Sequence, residues 1–137
     1  MKKRNVIWFI LLLVYLGVLA WCCFGNFDDI PQPRKEFFGI AFDKIVHFIM
    51  FLPFPFLCFL AFNCIEAKPW KAMLGIVAIF LAGCLIAAGT EIGQSYTAHR
   101  VGDPKDFMAD FLSLAVSSLA MTVFYLVKRL RLKTKYD

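Results

Sequence analysis

The sequence predicts an all-α polytopic membrane protein, a compact bundle of four transmembrane helices. Of its 137 residues, 61% are hydrophobic and 16 are Phe, and the mean hydropathy is +0.69. A soluble domain of this size has too little interior to bury so much apolar surface. Four apolar runs, each long enough to cross a hydrocarbon core of roughly 30 Å, lie at about 6–24, 45–65, 72–94 and 107–127. The intervening segments are short, so we expect a single domain over residues 1–137.

The first apolar run follows a basic segment, residues 2–4, as the core of a secretory signal peptide would. The run is longer than such a core, and Trp21 stands where signal peptidases require a small residue. We therefore expect a first helix that is not cleaved from the protein.

A few residues within the apolar runs affect helix geometry and packing. Pro53 and Pro55 each remove a backbone hydrogen bond, so we expect a kink in the second helix. Gly89 and Gly93 have the G-x-x-x-G spacing that lets helices approach closely in lipid. The five cysteines lie in or beside apolar runs without a C-x-x-C pair, so we expect packing residues rather than disulfides or a zinc site.

The distribution of basic residues predicts the orientation in the membrane. With a cytoplasmic amino terminus, ten Lys and Arg residues fall inside and five outside. The inside set is Lys2, Lys3, Arg4, Lys68, Lys71, Lys128, Arg129, Arg131, Lys133 and Lys135, and the outside set is Arg34, Lys35, Lys44, Arg100 and Lys105. This bias predicts a multi-pass protein of the bacterial cytoplasmic membrane with both termini in the cytoplasm. The net charge of +5 follows from that topology, so we expect the lipid bilayer as a partner and no nucleic acid.

Polar residues of chemical interest are concentrated at helix ends on the predicted outer side. They form Asp43-Lys44-x-x-His47 and Thr90-Glu91-x-x-Gln94, followed by Arg100, Asp106 and Asp110. Residues four apart share a helix face. A bilayer tolerates ionisable groups only where they are paired, hydrated or part of a functional site. We therefore predict one polar site formed by Asp43, Lys44, His47, Thr90, Glu91, Gln94, Arg100, Asp106 and Asp110.

The same residues also have a structural interpretation. Asp43 and Asp106 stand where a carboxylate favours a helix N-terminus, and an interfacial His47 is within reach of Asp43. Arg100 is the natural counter-ion for several carboxylates, and its forked donors also suit a phosphate. A lattice of salt bridges that only fixes the bundle is thus an alternative to a binding site.

The order and spacing of these motifs resemble those of the VanZ-like membrane proteins. The resemblance covers about residues 42–114 and rests on the two clusters with Arg100 and Asp106. The family pattern continues Asp-x-x-x-Asn-x-x-Gly, where this chain has Asp110 and Ser113. The resemblance implies a small bacterial integral membrane protein of about four helices, in a family named for low-level resistance to the glycopeptide teicoplanin.

Two functions are compatible with such a site. The one we favour is an envelope protein whose outer-face site binds a cell-wall precursor or another lipid-linked ligand and so affects teicoplanin susceptibility. The alternative is a membrane-embedded hydrolase or transferase acting on a lipid-linked or phosphorylated substrate, with His47 and either Glu91 or Asp43 as acid–base groups. A divalent cation on His47, Glu91, Asp106 and Asp110 would belong to that alternative. We predict no cofactor and no metal motif, since H-E-x-x-H spacing is absent. The sequence leaves enzymatic activity and oligomeric state open.

Overall fold

Four helical segments are long and apolar enough to cross a membrane, which confirms the predicted fold class. The structure is a computed structural model, and it describes residues 3–25, 36–37, 39–97 and 103–134. The spans are Asn5–Phe24, Phe42–Ala61, Pro69–Ser95 and Pro104–Leu132. The last three begin about three residues earlier than predicted, because a helix continues into polar flanks that an apolar window leaves out. The second span also ends before the predicted residue 65, where a short 3₁₀ turn replaces the α-helix.

The first span and the loop after it lead to the second span. Helix α1 covers Lys3–Phe24. In the described part of the loop, strand β1 (Glu36–Phe37) pairs in antiparallel fashion with β2 (Ile40–Ala41). Gly39, with φ of +76°, makes the turn between them, a backbone conformation that residues with a Cβ rarely adopt. Strand β2 runs directly into the next helix, so the ribbon fixes where that helix begins.

The second span is divided into helices α2 (Phe42–Phe51) and α3 (Phe54–Ala61). Pro53 precedes α3 and Pro55 lies in its first turn. Neither proline has an N–H to donate to the preceding turn, so the helix breaks here. The structure thus shows an interruption of the second helix at the prolines where the sequence predicted a kink.

Two neighbouring helices supply hydrogen-bond donors beside this break. The Tyr15 hydroxyl of α1 donates to the carbonyl oxygen of Met50 at 2.5 Å. The Ser113 hydroxyl, from helix α5 (Pro104–Thr134), donates to the carbonyl oxygen of Phe48 at 2.6 Å. These hydrogen bonds tie the second span to α1 and α5 next to the break; the carbonyl oxygens that lose their usual donors to the prolines are those of Ile49 and Phe51, four residues before each proline.

Helix α4 (Pro69–Ser95) packs against α1, α3 and α5 and depends on small residues to do so. A Cβ at Gly83 would lie 2.7 Å from Cδ2 of Leu114, and one at Gly93 would lie 2.8 Å from Cε1 of Phe24. A Cβ at Gly89 would meet nothing within 4 Å. Of the predicted glycine pair, only Gly93 thus serves a close helix contact within the chain.

The end of the bundle opposite the ribbon is closed by hydrogen bonds to the turn before α4. The hydroxyl of Tyr125 and Nη2 of Arg129 both donate to the carbonyl oxygen of Ala67, each at 2.8 Å. The Tyr125 ring also packs edge-on against Phe59 of α3. None of the five cysteines forms a disulfide with another described residue.

Candidate functional site

The polar site forms at one end of the bundle, where α1 and α4 end and α2 and α5 begin. The start of α5 is set by Asp103, whose side-chain Oδ1 accepts the backbone N–H of Lys105 at 2.9 Å. Pro104 follows it in the first helical position, which is the usual arrangement of an N-cap residue before a proline. Asp106 consequently lies in the first turn of α5, and Asp110 lies one turn deeper on the same face.

His47 of α2 is surrounded by carboxylates from two other helices. Its Nδ1 lies 3.2 and 3.3 Å from the two oxygens of Asp110 and 3.7 Å from Oε1 of Glu91. Its Nε2 lies 3.9 Å from Oδ2 of Asp106. The side chain of Asp110 is 0% exposed, that of His47 4%, and those of Glu91 and Asp106 10% each. These four residues, the carboxylate–histidine cluster, form the buried centre of the site.

Lys44 joins the start of α2 to the start of α5. Its Nζ lies 2.8 Å from Oδ1 of Asp106, 3.0 Å from Oδ2 of Asp103 and 3.2 Å from Oδ2 of Asp43. The sequence suggested Arg100 as the counter-ion of the carboxylates, but Arg100 lies outside the described residues. Among the described residues, Lys44 takes the counter-ion role.

Asp103 belongs to the site although the motif-based prediction omitted it. Its backbone N–H donates to Oε2 of Glu91 at 3.0 Å, which connects the end of α4 to the start of α5. The backbone N–H of Lys105 and the ammonium group of Lys44 lower the pKa of the Asp103 carboxyl below its usual value. The sequence did contain a signal for this role, since Asp-Pro directly before a helix indicates an N-cap.

Three of the predicted site residues have other contacts. Thr90 donates to the carbonyl oxygen of Ala87 within its own helix at 2.8 Å. Gln94 donates to the carbonyl oxygen of Cys23 at 3.0 Å and so ties α4 to the end of α1. Asp43 is exposed and accepts from Lys44, while the buried His47 pairs with Asp110. The suggested Asp43–His47 pair is therefore wrong, because the inner side of α2 faces α5.

The described part of the site has an excess of carboxylates and one buried oxygen without a partner. Five carboxylates, from Asp43, Glu91, Asp103, Asp106 and Asp110, accompany Lys44 and His47. Oε1 of Glu91 is buried and accepts no hydrogen bond from the described residues. That oxygen has only the 3.7 Å ion-pair contact with Nδ1 of His47, and a buried oxygen without a hydrogen bond carries a free-energy cost. The arrangement is therefore suited to accepting a cation or a hydrogen-bond donor.

The fold and the site define a small polytopic membrane protein with a buried, histidine-containing acidic cluster at one end of its helix bundle. The family model for VanZ/LLP1 matches residues 12–128, which include all four members of that cluster. The chain belongs to the VanZ/LLP1 family, and the resemblance seen in the sequence is confirmed. Comparisons with curated proteins and with solved structures gave no match.

Proposed function

We propose that this VanZ/LLP1-family protein binds the polar head of a lipid-linked cell-envelope ligand at the carboxylate–histidine cluster. The observation that carries the proposal is the buried Oε1 of Glu91, which lacks a hydrogen-bond partner among the described residues. Leaving a buried acceptor unsatisfied costs about 1–3 kcal/mol. A ligand that supplies a donor or a cation there recovers this free energy, which gives the site a driving force for binding.

The position of the cluster supports a ligand of the membrane surface. It lies at helix ends, where side chains meet the boundary between lipid and water. The excess of Lys and Arg in the predicted cytoplasmic segments orients this end outward. We therefore assign the site to the outer face of the bacterial cytoplasmic membrane, where cell-wall precursors are used.

An apolar cavity on the α1–α3–α4 side of the bundle supports a ligand with a lipid tail. The cavity has a volume of about 450 Å³ and lies between α1, α3 and α4, with Leu16, Phe54 and Ile86 in its wall. Ile86 precedes Glu91 by five residues, which is about 7.5 Å along a helix and about 140° around it. The cavity is thus near the cluster but on another side of α4, and we propose that part of the hydrocarbon chain of the ligand lies there. Through this ligand, the protein would lower susceptibility to teicoplanin.

A binding measurement with a conservative variant tests the proposal. The probe is a lipid-linked cell-wall precursor, a polyprenyl diphosphate bearing a sugar–peptide head, presented to the full-length protein in nanodiscs. Glu91→Gln should weaken binding at least about tenfold, because losing a contact to a charged group costs about 1.5–3 kcal/mol. The unaltered protein should raise the inhibitory concentration of teicoplanin in a susceptible host. The Glu91→Gln variant should not raise it.

Glu66→Gln is the matched control, since Glu66 is an exposed carboxylate at the opposite end of the bundle. This variant should bind the precursor and protect the host as the unaltered protein does. The proposal is wrong if Glu91→Gln, folded by circular dichroism and gel filtration, binds the precursor with unchanged affinity.

A second candidate function is a hydrolase or transferase that acts on the same class of ligand. It is favoured by the contact between His47 and Asp110, since a buried carboxylate at Nδ1 leaves Nε2 available as a base. Here the precursor would be consumed in proteoliposomes, and His47→Gln would abolish turnover while binding persisted. Binding without turnover by the unaltered protein would exclude this candidate.

A further inference from the structure

Three residues of the cluster come from three helices and have the donor types of a metal site. His47 of α2, Glu91 of α4 and Asp106 of α5 each offer one ligand atom, and these atoms lie within 4.8 Å of one another. Two ligands bound at about 2.1 Å to one ion are at most about 4.2 Å apart. The separations of the three ligand atoms are therefore close to those of ligands that share one ion.

The unsatisfied oxygen of Glu91 provides an independent indication of a bound cation. Its side chain is 10% exposed, and Oε1 has no hydrogen-bond partner among the described residues. That oxygen points toward His47, with 3.7 Å between Oε1 and Nδ1. The other oxygen, Oε2, is already held by the backbone N–H of Asp103. Glu91 is thus held in position by Asp103, with Oε1 beside the His47 ring.

The residues around the three donors have the arrangement of a supporting shell. Asp110 lies 3.2 Å from Nδ1 of His47, and an Nδ1–H donated to it leaves the lone pair of Nε2 for a metal. A carboxylate behind a histidine is the usual companion of metal-binding imidazoles. On the far side, Lys44 occupies Oδ1 of Asp106 and leaves Oδ2 facing His47.

We propose that His47, Glu91 and Asp106 bind one divalent transition-metal ion, of the Mn²⁺ or Zn²⁺ type. An imidazole nitrogen combined with carboxylate oxygens suits these ions better than Ca²⁺ or Mg²⁺, which prefer oxygen ligands alone. Three protein ligands leave coordination positions open for an external oxygen. This inference rests on the proposed function. The ion offsets two of the carboxylate charges, and it thereby gives the site a means of holding the diphosphate of the lipid-linked ligand.

Metal binding can be tested without any lipid ligand. Full-length protein that carries no polyhistidine tag is purified in detergent, washed with chelator and titrated separately with Mn²⁺, Zn²⁺ and Mg²⁺. Metal is then quantified by mass spectrometry after desalting. We expect about one equivalent of Mn²⁺ or Zn²⁺ per chain and at least a tenfold loss of affinity in Glu91→Gln and in Asp106→Asn. Glu66→Gln should retain the affinity of the unaltered protein.

Electron paramagnetic resonance of bound Mn²⁺ provides a measurement that needs no variant. Coupling of the ion to a ¹⁴N nucleus is expected, because His47 supplies a nitrogen ligand. The proposal is overturned by an absence of stoichiometric metal, by metal binding that Glu91→Gln and Asp106→Asn leave unchanged, or by stabilisation with Mg²⁺ alone. Precursor binding that persists in chelator would overturn the role of the metal in holding the diphosphate while leaving the proposed function intact. Metal binding without any precursor binding would overturn the proposed function and leave the metal site intact.

Discussion

The contact between His47 and Asp110 should be the strongest interhelical interaction in the buried site. It joins α2 to α5 through an ionisable acceptor whose side chain is 0% exposed and a ring whose side chain is 4% exposed. Asp110→Ala removes the acceptor and leaves a buried ring nitrogen without its partner. We expect this substitution to destabilise the bundle, whereas Asp110→Asn, which keeps an acceptor oxygen, should be tolerated.

The expected magnitude follows from the burial of this contact. Interhelical hydrogen bonds in membrane proteins contribute about 0.6 kcal/mol on average and about 1.7 kcal/mol at most, while bonds to charged groups in proteins contribute about 1.5–3 kcal/mol. Because solvent does not screen the pair, we expect a coupling energy near the overlap of these ranges, about 1.5 kcal/mol. Asp110→Ala alone should cost more, about 2–4 kcal/mol, since it also leaves His47 unsatisfied.

A double-mutant cycle with His47→Ala and Asp110→Ala measures the coupling directly. The free energy of unfolding is obtained by denaturant titration in mixed micelles, with chelator-washed protein so that metal binding does not contribute. Asp43→Ala is the matched control, because the same change at an exposed carboxylate paired with Lys44 should alter stability by less than about 1 kcal/mol. A coupling energy below about 0.5 kcal/mol would refute the reasoning, since the two side chains would then act independently.

Two further predictions concern helix packing. Ser113→Ala should destabilise the bundle by about 0.6–1.7 kcal/mol, because the hydrogen bond from α5 to the carbonyl oxygen of Phe48 in α2 is lost. Gly83→Ala should cost about 1–3 kcal/mol by overpacking against the buried Leu114, while Gly89→Ala, with open space at its Cβ, should be neutral or stabilise by up to about 1 kcal/mol. Both are measured as free energies of unfolding in micelles, and equal effects of the two glycine substitutions would contradict the packing described for α4.

Much of the fold could be predicted because its cause is local in the sequence. Apolar runs that match the thickness of a bilayer indicate spans wherever they occur, and a proline inside a helix removes a backbone hydrogen bond whatever surrounds it. Helix ends were predicted less well, as the early end of the second span shows. Apolarity does not determine where capping residues such as Asp103 start a helix.

That the polar residues form a functional site stays a prediction, and the pairings between them were only partly predicted. Helix periodicity and alternation of the spans place His47, Glu91, Asp106 and Asp110 at one end of the bundle, and the structure brings them together. Periodicity does not say which helices face each other. It therefore suggested Asp43 as the partner of His47, where the structure has Asp110.

The sequence by itself determined that this protein is a four-helix membrane bundle of the VanZ-like type with its polar residues at one end, because hydrophobicity and motif order are properties of the chain. Only the tertiary structure decided that Lys44 bridges α2 to α5, that Asp103 holds Glu91, and that one oxygen of Glu91 accepts no hydrogen bond from the described residues. Those contacts join residues that are as much as 62 positions apart. Their distances depend on how whole helices pack, and packing in lipid is set by side-chain shape across the entire bundle.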